Sequence, residues 1–283
     1  MPVMAGPEMT EAAIADCLAQ TVHTQILVIN QGVDSAFRDH LERLAEEQPH
    51  RILVWSHDPP MLSLSASWNR ALDFVWATGE QKAFVVNNDV RLHPETVLQL
   101  DRAMFEANAL FVSAVGVTKE QFNEGYLNQE IDALLTQRGG PDFSCYLISK
   151  ACHDTYRFDE EFIPAFCEDL DYHRRLMLGG ASHRIFSVNL PYLHLASQTL
   201  KQSPKRDQIG RAIERGSRAH YLKKWGGPVN AETFYVPYNR WAETGANTPE
   251  ELLHVTTDEL PGPTSPALQA HFQERYERVK DLL

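Results

Sequence analysis

Short apolar runs alternate with amphipathic segments along the first part of the chain. The apolar runs have the length and composition of buried strands, and they lie at 25–30, 51–56, 83–87 and 109–117. Segments with apolar residues at helical spacing separate these runs, at 37–47, 63–78 and 94–108. This alternation predicts an α/β fold in which helices flank a mostly parallel, doubly wound sheet.

A polar, irregular segment at 118–140 separates this part from the second half of the chain. There the pattern predicts further strands and helices: strands at 143–149, 183–188 and 192–195, a helix at 168–178 and a basic helix at 208–225.

The two ends of the chain each carry one further amphipathic segment. We expect a leader helix in 1–22, one α/β domain in 23–237 (donor half about 23–117, acceptor half about 118–237) and a C-terminal helical extension in 238–283. The last helix of the extension is expected to pack on the domain or on a second subunit. The second arrangement would make the protein a homodimer.

Composition and charge restrict the classes of protein to which the chain can belong. Its 283 residues are 43% hydrophobic, which suits one large globular domain with a small extension. The net charge of −12 counts against binding to duplex nucleic acid, because such binders usually carry a basic surface. No apolar run reaches the roughly 18 residues of a membrane span. The four cysteines lack metal-ligand spacing, so we predict reduced, mostly buried thiols in a cytoplasmic protein.

Two acidic clusters carry most of the candidate chemistry. The first, Asn87-Asn88-Asp89, ends a predicted strand, and the second, Glu168-Asp169-Leu170-Asp171, begins a predicted helix. An open α/β sheet places its ligand at the carboxyl ends of its strands. One cluster could therefore hold a metal ion while the other supplies a general base.

The order of these and other short motifs resembles a known family. The motifs are Val28-Ile29-Asn30-Gln31-Gly32, 65–71, Asn87-Asn88-Asp89, Phe158-Asp159-Glu160, Glu168-Asp169-Leu170-Asp171, Leu193-His194 and 221–227. Together they resemble inverting nucleotide-sugar glycosyltransferases of the Rossmann-like GT-A fold, in the family-two-like group. The ending Lys224-Trp225-Gly226-Gly227 is similar to glycosyltransferases of bacteriophages, which would place the protein in the host cytoplasm.

The resemblance implies a metal site at the first acidic cluster. Asn87-Asn88-Asp89 stands where the family has its Asp-x-Asp motif, with an amide in place of the first carboxylate. Asp89 is then the direct metal ligand, and His194 matches a C-terminal histidine that can supply another. An oxygen-rich shell suits Mg²⁺ or Mn²⁺, and the histidine favours Mn²⁺. The alternatives are a turn residue for Asp89 and a packed side chain for His194.

The resemblance also implies a catalytic role for the second acidic cluster. Asp169 matches the family's base, and the N-terminus of a helix favours a carboxylate there. Glu168 is predicted to contact the acceptor or the donor sugar. Alternatively, these acids only occupy a first helical turn, where acidic residues are common. Asp171 is expected to form a local ion pair with Arg174 and Arg175.

The nucleotide is expected across the ends of the first three strands. The predicted contacts are Asn30, Gln31, Gly32, Ser56, Asp58, Asn69, Asn87 and Asn88, with Lys201 and Lys205 on a loop that could close over the diphosphate. Each of them has an alternative as a turn or surface residue. Trp225 is either a platform on which the acceptor sugar stacks or a packing anchor.

These features together predict a metal-dependent inverting glycosyltransferase. The donor would be a nucleotide-sugar, with UDP-sugar as the family default, and the acceptor would be a glycan, a protein side chain or a modified base of phage DNA. Two other interpretations stay open. One is a nucleotidyltransferase, which usually needs two acidic ligands and a glycine-rich loop. The other is a catalytically degenerate module that binds nucleotide-sugars.

Overall fold

The computed structural model describes residues 1–31, 34–56, 63–117, 122, 135–136, 141–195 and 206–239. Several predictions lie outside these residues: the site residues Gly32, Asp58, Lys201 and Lys205, and the C-terminal helix. Among the helices of the described part, none is long and apolar enough to cross a bilayer.

Strands and helices alternate through most of the described chain. The strands are β1 (Pro2–Val3), β2 (Ile26–Asn30), β3 (Ile52–Ser56), β4 (Lys82–Val86), β5 (Val90–Arg91), β6 (Phe111–Val117), β7 (Leu135–Thr136), β8 (Cys145–Ser149) and β9 (Ile185–His194). The helices are α1 (Pro7–Leu18), α2 (Ser35–Glu47), α3 (Leu64–Ala77), α4 (Thr96–Glu106), α5 (Lys150–Thr155), α6 (Glu168–Leu178), α7 (Arg206–Ile213) and α8 (Ala219–Trp225). A π-helical turn, Glu214–Arg218, joins α7 to α8.

The chain divides into two compact units, which are described separately. The first unit takes its described residues from Met1–Pro60, Lys82–Ser149 and Arg184–Ser203. The second takes them from Met61–Gln81, Lys150–His183 and Pro204–Leu283.

The first unit contains every described strand, and its strands are less parallel than the sequence predicted. β1, β2 and β3 form a parallel sheet, whereas the second sheet, in the order β4-β8-β6-β9-β5, is mixed. β8 runs antiparallel to both β4 and β6. The chain leaves β6 at its C-terminal end and enters β8 at that same end, so β8 must run the opposite way. The prediction of an α/β sheet is confirmed, and the prediction that it is mostly parallel is corrected to a mixed sheet.

A single strand, β9, replaces the two short strands predicted at 183–188 and 192–195. The two predicted strands left a gap at 189–191, and Pro191 in this gap has no N–H to donate to a neighbouring strand. In the structure, Pro191 pairs with Val115 of β6 just beyond a register shift between Ser113 and Val115. The irregularity accommodates the proline, and β9 continues to His194.

The N-terminal segment belongs to the core of the first unit. The sequence predicted a leader helix in 1–22, whereas the chain first forms β1, which pairs with β2, and then α1. Val3, Ala13 and Ile14 are buried in the same apolar cluster as Val86 and Val90. This burial fixes the N-terminal segment against the strands that carry the first acidic cluster.

The second unit packs helices around a stack of aromatic rings. Phe158 lies between Trp68 of α3 and Tyr172 of α6, with ring centroids 4.8 and 4.1 Å away. Ser63 caps α3 by accepting a hydrogen bond from the N–H of Ala66. Through these ring contacts, α3 and α6 both pack on the segment that contains Phe158.

A π-helical turn interrupts the basic helix that the sequence predicted at 208–225. The interruption brings Gly216 against the carbonyl oxygen of Ile163, which a Cβ at Gly216 would approach to 2.3 Å. Only glycine fits such a contact, because the backbone oxygen cannot move aside as a flexible side chain can. The turn thus packs on the loop that leads into α6.

Candidate active site

The two predicted metal ligands of the first unit lie next to each other. The short strand β5 pairs antiparallel with the end of β9, with Val90 opposite His194. This pairing places the Asp89 carboxylate 3.4 Å from Nε2 of His194. The Asp89 side chain is only 8% exposed, whereas that of His194 is 26% exposed. The histidine edge therefore remains accessible beside a buried carboxylate.

Asn87 contributes an oxygen on the same turn. Its N–H donates to the carbonyl oxygen of Ser144, at 3.0 Å. Its side-chain oxygen Oδ1 is buried and has no hydrogen-bond partner among the described residues. A buried acceptor without a donor is costly, so this oxygen suits a ligand that brings positive charge or a hydrogen.

The chemistry of this set suits a hard divalent cation that is shared with a phosphate. No group of three or more His, Cys, Asp or Glu side chains in the described part of the chain could hold a metal ion. Asp89 and His194 supply two ligands, and Asn87 has an oxygen to offer. Mg²⁺ and similar ions often take one or two protein carboxylates and complete their shell with substrate phosphates and water. The residues present fit that arrangement.

Asn88 anchors the turn of the first acidic cluster to the N-terminal segment of the chain. Its amide nitrogen donates to the carbonyl oxygen of Ala5, at 2.8 Å, and to Oγ1 of Thr10, at 2.9 Å. Asp16 of α1 accepts two hydrogen bonds from Arg91, at 2.7 and 3.1 Å. The sequence predicted a nucleotide contact for Asn88, and a contact through its amide nitrogen would compete with these two bonds.

Two of the predicted nucleotide contacts meet at the ends of neighbouring strands. Asn30 and Ser56 are the last residues of β2 and β3, and they are register partners. The amide nitrogen of Asn30 donates to Oγ of Ser56 at 3.0 Å. Gln31 follows directly, with its N–H bonded to the carbonyl oxygen of Val3. These three residues lie at the C-terminal ends of β2 and β3.

The second acidic cluster lies in the second unit, after an unusual turn. Phe166 and Cys167 both have positive φ angles, of 75° and 69°, which is rare for residues other than glycine. The turn buries Glu168, which is 4% exposed, and leaves Asp169 half-buried. Oδ1 of Asp169 accepts a hydrogen bond from the N–H of Leu170 at 2.8 Å. Asp169 is therefore the more accessible of the two acids.

Burial raises the pKa of both Glu168 and Cys167, so both groups are weaker acids than usual. Burial and then the negative charge of Asp169 raise the pKa of Glu168 well above its usual range. Burial, followed by the charges of Asp169 and Glu168, raises the pKa of Cys167 to about 11. The thiol is therefore a packing group. All four cysteines are free and buried, which confirms the prediction of reduced, buried thiols.

Comparison with known proteins identifies the fold. No protein-family profile and no curated protein sequence match the chain. Among solved structures, TarS of S. aureus matches with a TM-score of 0.50 at 12% identity, over 75% of this chain and 42% of TarS. GalNAc-T7 with UDP, GalNAc and Mn²⁺ matches with 0.55 at 8% identity, over 75% of this chain and 47% of that one. The mannosyltransferase PcManGT of Pyrobaculum calidifontis with GDP-Man and Mn²⁺ matches with 0.53 at 9% identity, over 75% and 61%.

The chain has the GT-A fold. It spans about half the length of TarS and GalNAc-T7, with 42% and 47% of those chains covered. At such low identity the likeness concerns the fold alone. The GT-A fold confirms the α/β architecture that the motifs predicted.

Asn69, a predicted nucleotide contact, is buried and hydrogen-bonded to protein groups. In this GT-A chain it lies in the second unit, where its amide nitrogen donates to the carbonyl oxygen of Phe158 and to Glu160, at 2.8 and 3.0 Å. Its oxygen accepts from the N–H of Phe158 and faces Nε2 of His153, at 3.1 and 3.2 Å. Burial lowers the pKa of His153 to about 3, and Trp76 donates to its Nδ1, so the neutral ring carries its proton on Nε2. Protein groups therefore already engage the amide of Asn69.

The second unit also contains a buried ion cluster around Lys224, and the sequence analysis missed most of it. Lys224 contacts Asp159 at 2.6 Å and Asp171 at 2.7 Å. Burial would raise the pKa of Asp159, but Lys224 and then His220 outweigh it and hold that pKa well below its usual range. No local sequence pattern indicated this cluster, because its members are far apart along the chain.

The same cluster decides the role of Trp225. The ring is fully buried, and its N–H donates to Oδ1 of Asp171 at 2.9 Å. Trp225 is thus a packing anchor, which was the second of the two interpretations. Asp171 pairs with Arg175 at 2.8 Å, which confirms the predicted local ion pair, whereas Arg174 donates to the carbonyl oxygen of Phe234.

Proposed function

We propose that the protein is a metal-dependent inverting glycosyltransferase that moves a sugar from a nucleotide-sugar to an acceptor hydroxyl. The observation that carries the proposal is the contact between Asp89 and His194 at the strand ends of a GT-A fold. Two of the matching structures contain Mn²⁺ with UDP or GDP-Man, which supports a nucleotide-sugar donor. UDP-sugar is the donor class that we propose to test first.

The first unit would bind the donor. Asp89, His194 and Asn87 would hold Mn²⁺ or Mg²⁺, which when bound neutralises charge on the departing diphosphate. Asn30, Gln31 and Ser56 would contact the nucleoside at the ends of β2 and β3; this is their predicted role. The same role is predicted for Gly32, Asp58, Lys201 and Lys205. It is also proposed for Asn69 and Asn88, whose amides would then exchange their protein hydrogen bonds for contacts with the nucleotide.

The second unit would supply the base. In the proposal, the acceptor oxygen attacks the anomeric carbon in line with the leaving diphosphate, and its proton passes to the carboxylate of Asp169. A single displacement of this kind inverts the configuration of the sugar. The half-buried carboxylate of Asp169 is accessible to an acceptor, whereas Glu168 is enclosed.

One observation favours a second candidate function, a degenerate module that binds nucleotide-sugars without transferring them. The amide Asn87 stands at the first position of the metal motif, and no larger cluster of acidic or histidine ligands exists in the described residues. The acceptor, phage origin, cytoplasmic location and homodimer predicted from the sequence all remain predictions.

Thermal unfolding with a panel of nucleotides tests the proposal. A ligand that binds only the folded state raises the melting temperature. We expect one nucleoside diphosphate to raise it only in the presence of Mn²⁺ or Mg²⁺, and Asp89→Ala to abolish that shift. Asp101→Ala, an exposed change in the same unit, serves as the control. Absence of any shift with every nucleotide would refute the donor site.

Donor turnover then separates the enzyme from the degenerate module. We expect metal-dependent release of the nucleoside diphosphate from the preferred nucleotide-sugar, and we expect Asp169→Asn to bind the donor normally but to lose transfer. Binding without any turnover in the wild-type protein, across glycan, peptide and DNA acceptors, would favour the module.

A further inference from the structure

Lys224 joins the two ends of the segment that carries the candidate base. Its ammonium nitrogen lies 2.6 Å from Oδ2 of Asp159 and 2.7 Å from Oδ1 of Asp171, and Asp169 lies between these two aspartates in the chain. The side chains of Lys224, Asp159 and Asp171 are buried, with exposed fractions of 4%, 11% and 0%. Residues 159–171 are called the base segment below, and the contact of Lys224 with both aspartates is called the clamp.

The clamp acts on the first turn of α6 through Asp171. Besides the contact with Lys224, this carboxylate accepts hydrogen bonds from Nε of Arg175 at 2.8 Å and from Nε1 of Trp225 at 2.9 Å. Successive residues of an α-helix are about 100° apart around its axis, so the residue two positions earlier points about 200° away. The inward anchoring of Asp171 therefore turns Asp169 outward, in accord with its half-buried side chain.

The middle of the base segment has a backbone conformation that surrounding contacts must hold. Phe166 and Cys167 have φ angles of 75° and 69°, and costly conformations of this kind persist where the surrounding structure fixes them. Phe162, in the same segment, packs edge-on against His220, with ring centroids 4.7 Å apart, and its ring lies 5.6 Å from the ammonium nitrogen of Lys224. Both of these contacts come from α8, which also supplies the clamp. We therefore expect α8 to control the turn that precedes α6.

We propose that Lys224 is a positioning residue for sugar transfer: by holding Asp159 to Asp171, it fixes Asp169 in the orientation from which that carboxylate takes the acceptor's proton. This inference rests on the proposed function, in which Asp169 is the base, and goes beyond it by assigning a task to α8. Lys224 acts through Asp169, because its own ammonium is enclosed and engaged by two aspartates. A displacement of a reacting group by about 1 Å can cost about a hundredfold in rate, so a loosened base segment would slow transfer.

Removal of the clamp should slow transfer without weakening donor binding. We expect Lys224→Met to lower kcat by about 10- to 100-fold. The donor KM and the metal-dependent thermal shift should not change, because the proposed metal ligands and strand-end contacts lie in the first unit. Tyr156→Phe is the matched control, since it removes a hydrogen bond to the carbonyl oxygen of Gly179 at the other end of α6. Its kcat should match that of the wild type.

A neutral pair separates positioning from stability. The double variant Asp159→Asn/Lys224→Met carries no stranded charge, so it should unfold at a higher urea concentration than Lys224→Met does. It still lacks the clamp, so we expect its kcat to be as low as that of Lys224→Met. If kcat instead recovers with stability, the inference is wrong and the cluster serves stability alone. If Lys224→Met does not fold, the double variant carries the test against the wild type.

The Asp169→Asn background tests whether Lys224 acts through the base. Single-turnover assays at high enzyme concentration measure the slow residual transfer that the bound donor still supports. With no carboxylate to position, Lys224→Met should cause no further loss in this background. An equal loss in both backgrounds would show that Lys224 affects transfer by another route, and the inference would fall while the proposed function stands.

Hydrogen–deuterium exchange tests the clamp without any activity. Amides of residues 160–170 should exchange faster in the variants that lack the clamp than in Tyr156→Phe. Unchanged exchange in this segment would refute the clamp and leave the proposed function in place. If the wild type transfers sugar to no acceptor, the proposed function fails and the positioning role fails with it, whatever the exchange shows.

Discussion

Replacing Lys224 with methionine tests whether the buried ion cluster stabilises the second unit. Lys224 is 3% exposed and contacts both Asp159, at 2.6 Å, and Asp171, at 2.7 Å. Asp171 would keep its contacts with Arg175 and with the Trp225 N–H. Asp159 would keep its contact with His220 at 3.0 Å. The substitution therefore leaves one buried carboxylate poorly compensated.

The expected loss of stability is large. Removing one partner of a buried ion pair costs about 3–5 kcal/mol, because the other charge stays buried without compensation. Urea unfolding at pH 7, followed by the change in midpoint at constant slope, measures this loss. Lys223→Met is the matched control: Lys223 is exposed, so its loss should stay within about 0.5 kcal/mol.

A double substitution separates the ion pair from simple loss of packing. Asp159→Asn removes the stranded charge, so Asp159→Asn combined with Lys224→Met should cost less than the sum of the two single changes, by about 0.5–3 kcal/mol. Purely additive losses, or a loss below about 1 kcal/mol for Lys224→Met alone, would refute the reasoning that these charges are coupled.

Three further predictions concern the loop before α6 and the thiols. The folded state keeps a proton on Glu168, whereas the unfolded state releases that proton above its ordinary pKa, so the stability of the wild type falls as pH rises. Relative to wild type, Glu168→Gln should gain stability by up to about 1.4 kcal/mol per pH unit from about pH 5 upward, measured by urea unfolding. A stability difference independent of pH would contradict this. Gly216→Ala should lower the free energy of unfolding by about 1–3 kcal/mol through its clash with the carbonyl oxygen of Ile163. Gly210→Ala, whose Cβ would meet no atom within 4 Å, should be neutral or stabilising. Equal effects of the two substitutions would show that the contact with Ile163 is unimportant. Buried thiols such as that of Cys167 should react with Ellman's reagent at pH 8 only after denaturation.

Hydrophobic periodicity predicted the longer elements because their signals extend over several residues. β2, β3 and α6 have bounds within about two residues of the prediction, within the usual uncertainty at element ends. β5 has only two residues, Val90 and Arg91, too few for any period to be visible. Yet this strand places His194 against Asp89. A resemblance named both ligands, but only the strand pairing explains how they meet.

Long-range geometry is where sequence reasoning failed. The direction of β8 follows from where its connection enters the sheet, which no local pattern encodes. Asp159 and Lys224 are 65 positions apart, and neither has a neighbour in sequence that indicates a partner. No local pattern in the sequence indicated the hydrogen bonds that the amide of Asn69 makes with Phe158 and His153. Burial of Glu168 depends on a turn of two residues with positive φ, for which glycine would have been the usual signal.

The backbone pairing of β5 with β9 holds the two proposed metal ligands, Asp89 and His194, close together whatever their side chains are. Because backbone hydrogen bonds hold positions 89 and 194 together, a change of side chain nearby alters the charge of this site without dismantling the pairing. Asn87, whose Oδ1 is buried and has no partner among the described residues, offers a place for such a change. In the proposed cation site, Asn87→Asp would add an anionic oxygen and is expected to tighten cation binding. The chain thus provides its own starting point for engineering metal affinity.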